Sequence, residues 1–386
     1  MECLRCGNRD ESRFYFDGKV YYCRNCIAFG RIDVGSVPIC RLVKPPVKKH
    51  RYKVKLDFAL TDHQQRVSDQ IVEYLKQGKD VLCFAVCGAG KTEIAMQAIC
   101  NALNKGLKVG FAIPRRQVVL EIAQRMAKAF PKAKVIQVCE GYNDELIGDL
   151  TVCTMHQLYR YPHYFDFLIM DEIDAFPYKN NPLLKRLAMD SCDGRRLMLT
   201  ATPSDDDLQA CERGELCLVE LFERPHGHAL VEPTMIRLPV SLQLWHSLRY
   251  ILKNPHPVLI FTPTIAQAEL YARIFSLFFK CSVVTSKTED KDGRILALKR
   301  GELAFLFTTT ILERGITIYG VDVIILQSDH PVFDAASLIQ IIGRVGRSKD
   351  CPSGLGIFYC EQYSQGIKQC RRILKQINEK RMFAML

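Results

Sequence analysis

No apolar run in this 386-residue chain approaches the roughly 20 residues a helix needs to cross a bilayer. The N-terminus carries charges and cysteines where a secretory signal would carry an apolar stretch, so the sequence predicts a protein made and kept in the cytoplasm. No internal repeat or low-complexity segment is present, which sets repeat architectures aside. Acidic residues are the scarcer charge. Against 53 Lys+Arg stand 42 Asp+Glu, and the resulting +11 favours a polyanionic partner such as nucleic acid without identifying one. The 17 cysteines, in a cytosolic chain, point to a metal site plus buried thiols rather than disulfides. Cys83, Cys100, Cys139 and Cys153 each stand alone in an apolar run and are expected to be packing residues.

The length exceeds what one hydrophobic core sustains, so two domains and a small extra module are expected. Residues 1–40 are rich in cysteine and aromatics. Residues 41–56 hold Lys44, Lys48, Lys49, Arg51, Lys53 and Lys55 around Pro45-Pro46 and read as an extended basic linker, either an arm on a phosphate backbone or a solvated tether. From residue 57 onward, β-type runs alternate with amphipathic helical stretches, the signature of a mostly parallel sheet covered on both faces. Strands are expected at 80–86, 108–113, 167–170 and 196–199, with helices at 92–104 and 116–129. A second set of strands follows at 258–261, 282–285, 304–308, 323–326 and 356–359, with helices at 266–279 and 337–343. The expected domains are therefore 57–225 and 257–386, with 226–256 as their connection.

Cys3-x2-Cys6 and Cys23-x2-Cys26 are separated by sixteen residues, a spacing that suits tetrahedral zinc. Asp17-Gly18 between β-forming aromatics predicts a hairpin that brings the two pairs together. Four thiolates leave no open coordination position, so this zinc is structural and supplies much of the folding free energy of so small a module. Arg5, Arg9, Arg13, Lys19, Arg24 and Arg31, interleaved with aromatics, suit stacking on bases, contact with phosphates or docking of another protein, and the sequence does not choose among them.

Ala85-Val-Cys-Gly88-Ala89-Gly90-Lys91-Thr92 follows a predicted strand and opens a predicted helix, the setting a phosphate-cradling loop requires. Alanine replaces the usual first glycine. Amides from Gly88 to Lys91 would hold the β-phosphate, Lys91 would reach the β- and γ-phosphates, and the Thr92 hydroxyl would bind Mg2+. Eighty residues on, the apolar run Phe167-Leu-Ile-Met170 leads into Asp171-Glu172-Ile-Asp174. An acidic pair at the end of such a strand suits a magnesium partner, Asp171, and a general base for the attacking water, Glu172. Far downstream, Gln340-Ile-Ile-Gly-Arg344-Val-Gly-Arg347 offers two guanidinium groups suited to phosphate oxygens.

Taken in order, these strings resemble the superfamily 2 helicases and translocases across residues 57–362. Leu60-Thr61-Asp-His-Gln64 resembles their adenine-reading motif, Pro114-Arg115-Arg116 motif Ia, and Cys153-Thr154-Met-His-Gln157 motif Ib. Thr200-Ala201-Thr202 is similar to the motif that couples hydrolysis to domain movement. Phe261-Thr262-Pro-Thr264 resembles motif IV, Thr309-Thr-Ile-Leu-Glu313-Arg314-Gly315 motif V, and Gln340 to Arg347 motif VI. The resemblance implies an α/β fold of two tandem RecA-like parallel-sheet domains behind the four-cysteine zinc ribbon. It also implies ATP contacts at Gln64 and Gly315, coupling through Thr200 and Thr202, arginine fingers at Arg344 and Arg347, and a nucleic-acid track past Arg115, Arg116, Thr154, Thr262 and Thr309.

Departures narrow the likeness. Asp-Glu-Ile-Asp replaces Asp-Glu-Ala-Asp, and Thr317 stands where RNA helicases carry an aspartate, closer to DNA-directed relatives such as the primosome helicase PriA. The four cysteines ahead of a basic linker and a short core resemble the late competence proteins of the ComFA family. That resemblance implies a cytoplasmic DNA-dependent ATPase driving single-stranded DNA import, at most peripheral to the inner face of the membrane beside the DNA-uptake machinery. Its family partners would be ComFC and DprA. The other readings are a replication-restart or RNA helicase, told apart by nucleic-acid preference, and an ATP-gated DNA-binding scaffold, whose DNA or partner binding would survive loss of Lys91.

Overall fold

The computed structural model describes residues 1–40, 42–47, 51–253, 256–314, 318, 320–347 and 350–384, with backbone alone over 382–384. Gly315 and Thr317 lie outside the described residues. The backbone clusters into two units. One comprises Met1–Ala85 and Lys91–Leu221, the other Val86–Gly90 and Phe222–Leu386.

The first unit begins with an antiparallel ribbon, β1 (Phe14–Phe16) and β2 (Tyr21–Cys23), paired Phe14 to Cys23 and Phe16 to Tyr21. The Asp17 carboxylate closes its turn by accepting the Lys19 and Val20 amides, both at 3.0 Å, and Gly18 takes the positive φ of 94° that a side chain would resist. Then follow α1 (Asp62–Lys76), β3 (Asp80–Ala85), α2 (Lys91–Asn104), β4 (Val109–Ile113) and α3 (Arg116–Ala129). The unit continues through β5 (Val135–Val138), β6 (Leu150–Thr154), β7 (Phe165–Asp171), α4 (Pro182–Asp190), β8 (Cys192–Thr200), α5 (Asp205–Glu212) and β9 (Leu216–Leu221).

The seven long-range strands form one wholly parallel sheet in the order β5-β6-β4-β7-β8-β3-β9. Strands β4 and β6 are buried along their whole length, as parallel strands covered on both faces must be. Cys83, Cys100, Cys139 and Cys153 are all buried packing residues, and burial pushes the Cys83 thiol up to about 12.

Over its described part the basic segment before α1 is docked rather than a free tether. Val47 and Tyr52 are each 4% exposed. The Asn104 side chain accepts the Tyr52 amide at 2.8 Å and donates to its carbonyl at 3.1 Å, while Lys44 pairs with Asp166 at 2.7 Å. Two apolar side chains among the lysines suffice to dock the strap, because their burial outweighs the solvation preference of neighbours that can still point outward.

The second unit runs β10 (Thr234–Arg237), α6 (Val240–Ile251), β11 (Val258–Phe261), α7 (Ile265–Phe275), β12 (Cys281–Val284) and α8 (Lys291–Lys299). It continues with β13 (Phe305–Thr308), β14 (Asp322–Ile325), α9 (Ala335–Ile342), β15 (Gly356–Cys360) and α10 (Gln365–Ala384). Its six strands are parallel in the order β10-β15-β14-β11-β13-β12, around a core that includes Ile260, Phe275, Phe305, Phe307, Ile324 and Tyr359. Strand β10 and helix α6 occupy the stretch the sequence reading passes over as a connection. Helix α7 stops at Phe275, four residues before the expected end, and Ser276 caps it.

Candidate nucleotide and nucleic-acid site

In the first unit, sheet order decides which loops become neighbours. Strands β7, β8 and β3 lie side by side, with Asp171 in register with Leu199 and Phe84 with Thr200. Their C-terminal ends therefore present the acidic pair, Thr200-Ala201-Thr202 and the entry to Lys91 along one edge. In open parallel sheets this edge is where ligands bind. Within the loop that joins β3 to α2, Gly88 and Gly90 adopt φ of 82° and 85°, which turns the chain back so that successive amides can face an anion. Lys91 is the first residue of α2, and Thr92, 7% exposed, is the second.

Asp171 is buried, and desolvation pushes its carboxyl up to about 6 against the opposing pull of the Lys91 ammonium. Its Oδ1 accepts the Glu172 amide at 2.8 Å. Glu172 sits at φ 53°, in the left-handed region that non-glycine residues rarely occupy. Such strain persists where surrounding structure enforces it, here at the carboxylate assigned to water activation.

Asp174, the last residue of the Asp-Glu-Ile-Asp string and without a role evident from the sequence, joins the two motifs. It accepts the Thr200 hydroxyl at its Oδ1 and the Thr202 hydroxyl at its Oδ2, both at 2.9 Å, and is itself 8% exposed. A bidentate carboxylate of this kind ties the loop after β7 to the loop after β8, so movement of one is felt by the other. Its signal in the sequence was the spacing, three residues beyond Asp171 and one strand before Thr-Ala-Thr.

Gln64 lies at the third position of α1. Its Oε1 accepts the Thr61 amide at 2.9 Å while the Thr61 hydroxyl accepts the Gln64 amide at 3.2 Å, a reciprocal capping box. The carboxamide is thereby held in one orientation.

Farther along the same edge, β4 and β6 end in register at Ile113 and Thr154. Arg115 precedes α3 as its N-cap; Arg116 donates to the Glu140 carbonyl at 2.8 Å and lies 5.6 Å from the Tyr142 ring. Thr154 is 9% exposed. In the second unit Thr262 and Thr309 follow β11 and β13, adjacent strands paired Phe261 to Thr308. The Thr262 hydroxyl is wholly buried and donates to the carbonyls of Thr264 and Thr308 at 3.1 and 3.3 Å, so in this geometry it braces the loop. Arg344 is 2% exposed, and Arg347 Nε donates to the Gly343 carbonyl at 2.9 Å.

At the N-terminus, the sulfurs of Cys3, Cys6, Cys23 and Cys26 lie within 4.8 Å of one another, with Cys3 to Cys26 at 3.8 Å and Cys6 to Cys23 at 3.6 Å. Tetrahedral thiolates about 2.3 Å from zinc stand about 3.8 Å apart, so the donor set fits that ion. The buried Arg5 guanidinium reaches the Cys26 sulfur at 3.1 and 3.3 Å and the carbonyls of Cys26, Phe29 and Gly30, bracing the second knuckle as outer-sphere donors do. The module packs onto the loop just beyond Thr154. The Phe29 ring stacks 6.2 Å from His156 and lies 5.2 Å from Tyr159, and a cavity of about 890 Å³ opens beside them, lined among others by Arg31, Tyr159 and Arg160.

These features define an ATP-hydrolysing helicase of superfamily 2. The profile of the DEAD/DEAH box helicases matches residues 61–211, and that of the helicase conserved C-terminal domain matches residues 243–349. The fold is shared with S. cerevisiae Dbp5, whose structure was solved with RNA and ADP BeF3, at a TM-score of 0.58 and 16% identity over 83% of this chain and 91% of that one. Within that class the chain belongs to the ComFA family of competence proteins. It is 34% identical to competence protein ComFA of Streptococcus pneumoniae, over 98% of this chain and 90% of the relative. It is 32% identical to that of Bacillus subtilis, over 98% and 85%. Among the described residues no helix is long and apolar enough to cross a membrane.

Proposed function

We propose that this protein is a DNA-stimulated ATPase that translocates along a single strand, and that it serves DNA uptake together with ComFC, DprA and the membrane-associated uptake machinery its family resemblance implies. The observation that carries the reading is the continuous edge of the first unit. Strands β3, β7 and β8 end there in the hydrolytic residues, and β4 and β6 end beside them in Arg115, Arg116 and Thr154. Lys91 and the amides of the loop before it hold the phosphates, Gln64 offers its oriented amide to the base, and Glu172 takes the proton of the attacking water. Thr92 and Asp171 would hold Mg2+, which when bound neutralises charge on the β- and γ-phosphates. Arg344 and Arg347 supply positive charge to the transition state, a contribution of roughly 10³ to 10⁵ in rate for such arginines. Gly315 completes the assignment from its place in motif V.

Thr200 and Thr202 transmit the state of the acidic loop through Asp174. Contacts along Arg115, Arg116, Thr154 and Thr309 are directed mainly at the backbone, with the buried Thr262 bracing its own loop rather than touching the strand, so binding is salt-sensitive and weakly dependent on sequence. The four cysteines hold one structural zinc. Its module, seated on the loop after Thr154, stiffens the start of the track.

The test is displacement of streptavidin from end-biotinylated single strands in the presence of ATP. Wild type should release it, and Glu172→Gln should bind ATP and DNA yet leave it in place. ATP turnover without displacement from either end would refute translocation, and turnover by Glu172→Gln would refute its role as the base.

A further inference from the structure

Arg224 lies three residues beyond β9 and belongs to no motif, yet it is among the largest fully buried side chains of the protein, 2% exposed. Among the described residues, its guanidinium donates to main-chain carbonyls. Nη1 donates to Val345 at 2.8 Å and Gly346 at 2.7 Å, and Nη2 donates to Gly343 at 2.8 Å. Nε donates at 3.0 Å to Cys87, in the 86–90 segment that clusters with the same unit.

Those acceptors are not arbitrary. Helix α9 ends at Ile342, so the carbonyls just beyond it are the kind a helix terminus leaves without partners. They also carry the negative end of the helix dipole, where a cation is favoured. The chain reverses at Gly346, φ 67°, so closely that a Cβ there would meet the Pro352 carbonyl at 2.3 Å. Arg344 and Arg347 both sit on this short turn. Arg347 shares the Gly343 carbonyl with Arg224, and burial already holds the Arg224 guanidinium down to about 10. A buried arginine bonded only to carbonyls is costly to desolvate, and its planar fork is the one side chain that spans several acceptors at once.

We infer that Arg224 is a positioning residue for hydrolysis: it fixes the turn from Gly343 to Arg347 so that both of its arginines point correctly. The inference rests on the assignment of Arg344 and Arg347 to the transition state. Arg224 touches no substrate. Its removal lets the turn relax by an ångström or so, enough to cost about 10²-fold in a step that depends on charge placement.

Steady-state ATP hydrolysis of the full chain, with saturating single-stranded DNA, is measured for wild type, Arg224→Ala, Arg224→Lys, Arg344→Ala and Arg347→Ala. The expected result for Arg224→Ala is a kcat lower by about 10²-fold with a much smaller change in KM for ATP, because three of its four bonds hold the arginine turn and only one reaches the phosphate loop. Arg224→Lys keeps the charge but cannot span three carbonyls, so it should fall nearly as far. Methylguanidinium, which fits the vacated space, should restore Arg224→Ala at least about tenfold and leave Arg347→Ala unchanged. Melting curves establish that each variant is folded, and the rescue arm separates lost positioning from lost structure. If Arg344→Ala and Arg347→Ala both keep wild-type turnover, the assignment of the loop fails and the inference with it. If they lose turnover while Arg224→Ala stays within threefold of wild type, the positioning role alone is overturned, as it is if Arg224→Lys is fully active or if methylguanidinium rescues nothing.

Discussion

Replacing Asp171 by asparagine should stabilise the magnesium-free protein while abolishing its ATPase. The carboxyl is buried, and desolvation raises it from 3.8 to about 6 even with Lys91 attracting the ionised form. A group raised on folding favours the native state most below its unfolded pKa, and that advantage drains away as pH climbs through the folded value. Above pH 6 the native protein therefore carries a buried carboxylate whose net cost is about 3 kcal/mol, from roughly two pKa units at 1.36 kcal/mol each. Asparagine mimics the neutral acid and is spared that cost. Its advantage over wild type should grow from about half a kcal/mol at pH 4 to about 3 kcal/mol at pH 7. For a unit of some 200 residues this is several degrees in melting temperature. Thermal melts in EDTA between pH 4 and 8 provide the assay. Adding Mg2+ and a non-hydrolysable ATP analogue should reverse the order, because only the carboxylate gains a cation. A variant less stable than wild type at pH 7, or a gap that does not change with pH, would refute the burial argument.

Asp174→Asn weakens both threonine bonds, so stimulation of turnover by DNA should fall at least about tenfold while nucleotide affinity changes little; unaltered stimulation would remove Asp174 from the coupling path. Cys23→Ser should abolish stoichiometric zinc by elemental analysis and melt the module, whose core consists mainly of the four cysteines, Phe14 and Ile32, and full zinc content would contradict the four-thiolate assignment. Lys91→Ala should lose ATP binding by at least about tenfold in a filter assay, and DNA binding that depended on nucleotide in wild type should no longer respond to it.

Much of this architecture was legible because it rests on local signals. Glycines in the phosphate loop, the paired cysteines around Asp17-Gly18 and the apolar runs that became β3, β4, β7, β11, β13, β14 and β15 each announce their structure within a few residues. Strands β5 and β10 did not, since each lies at the edge of its sheet and is only partly buried, so no continuous apolar run marks it; β10 takes its identity from β15, about 120 residues away. Asp174 was visible as part of a pattern, but its bond to both threonines required the β7-β8 register. Arg224 had no local signal at all, because what distinguishes it is the set of main-chain carbonyls around it, and these are the same in every residue until the chain is folded.

Whether single-stranded DNA drives the ATP site on this sheet edge is decided by ATP turnover measured in parallel with single-stranded DNA, duplex DNA, single-stranded RNA of the same sequence and no nucleic acid. Strong stimulation by the DNA single strand, little by duplex or RNA, and a steep decline with added salt are expected. Equal stimulation by RNA, or turnover indifferent to all nucleic acid, would contradict that dependence on single-stranded DNA.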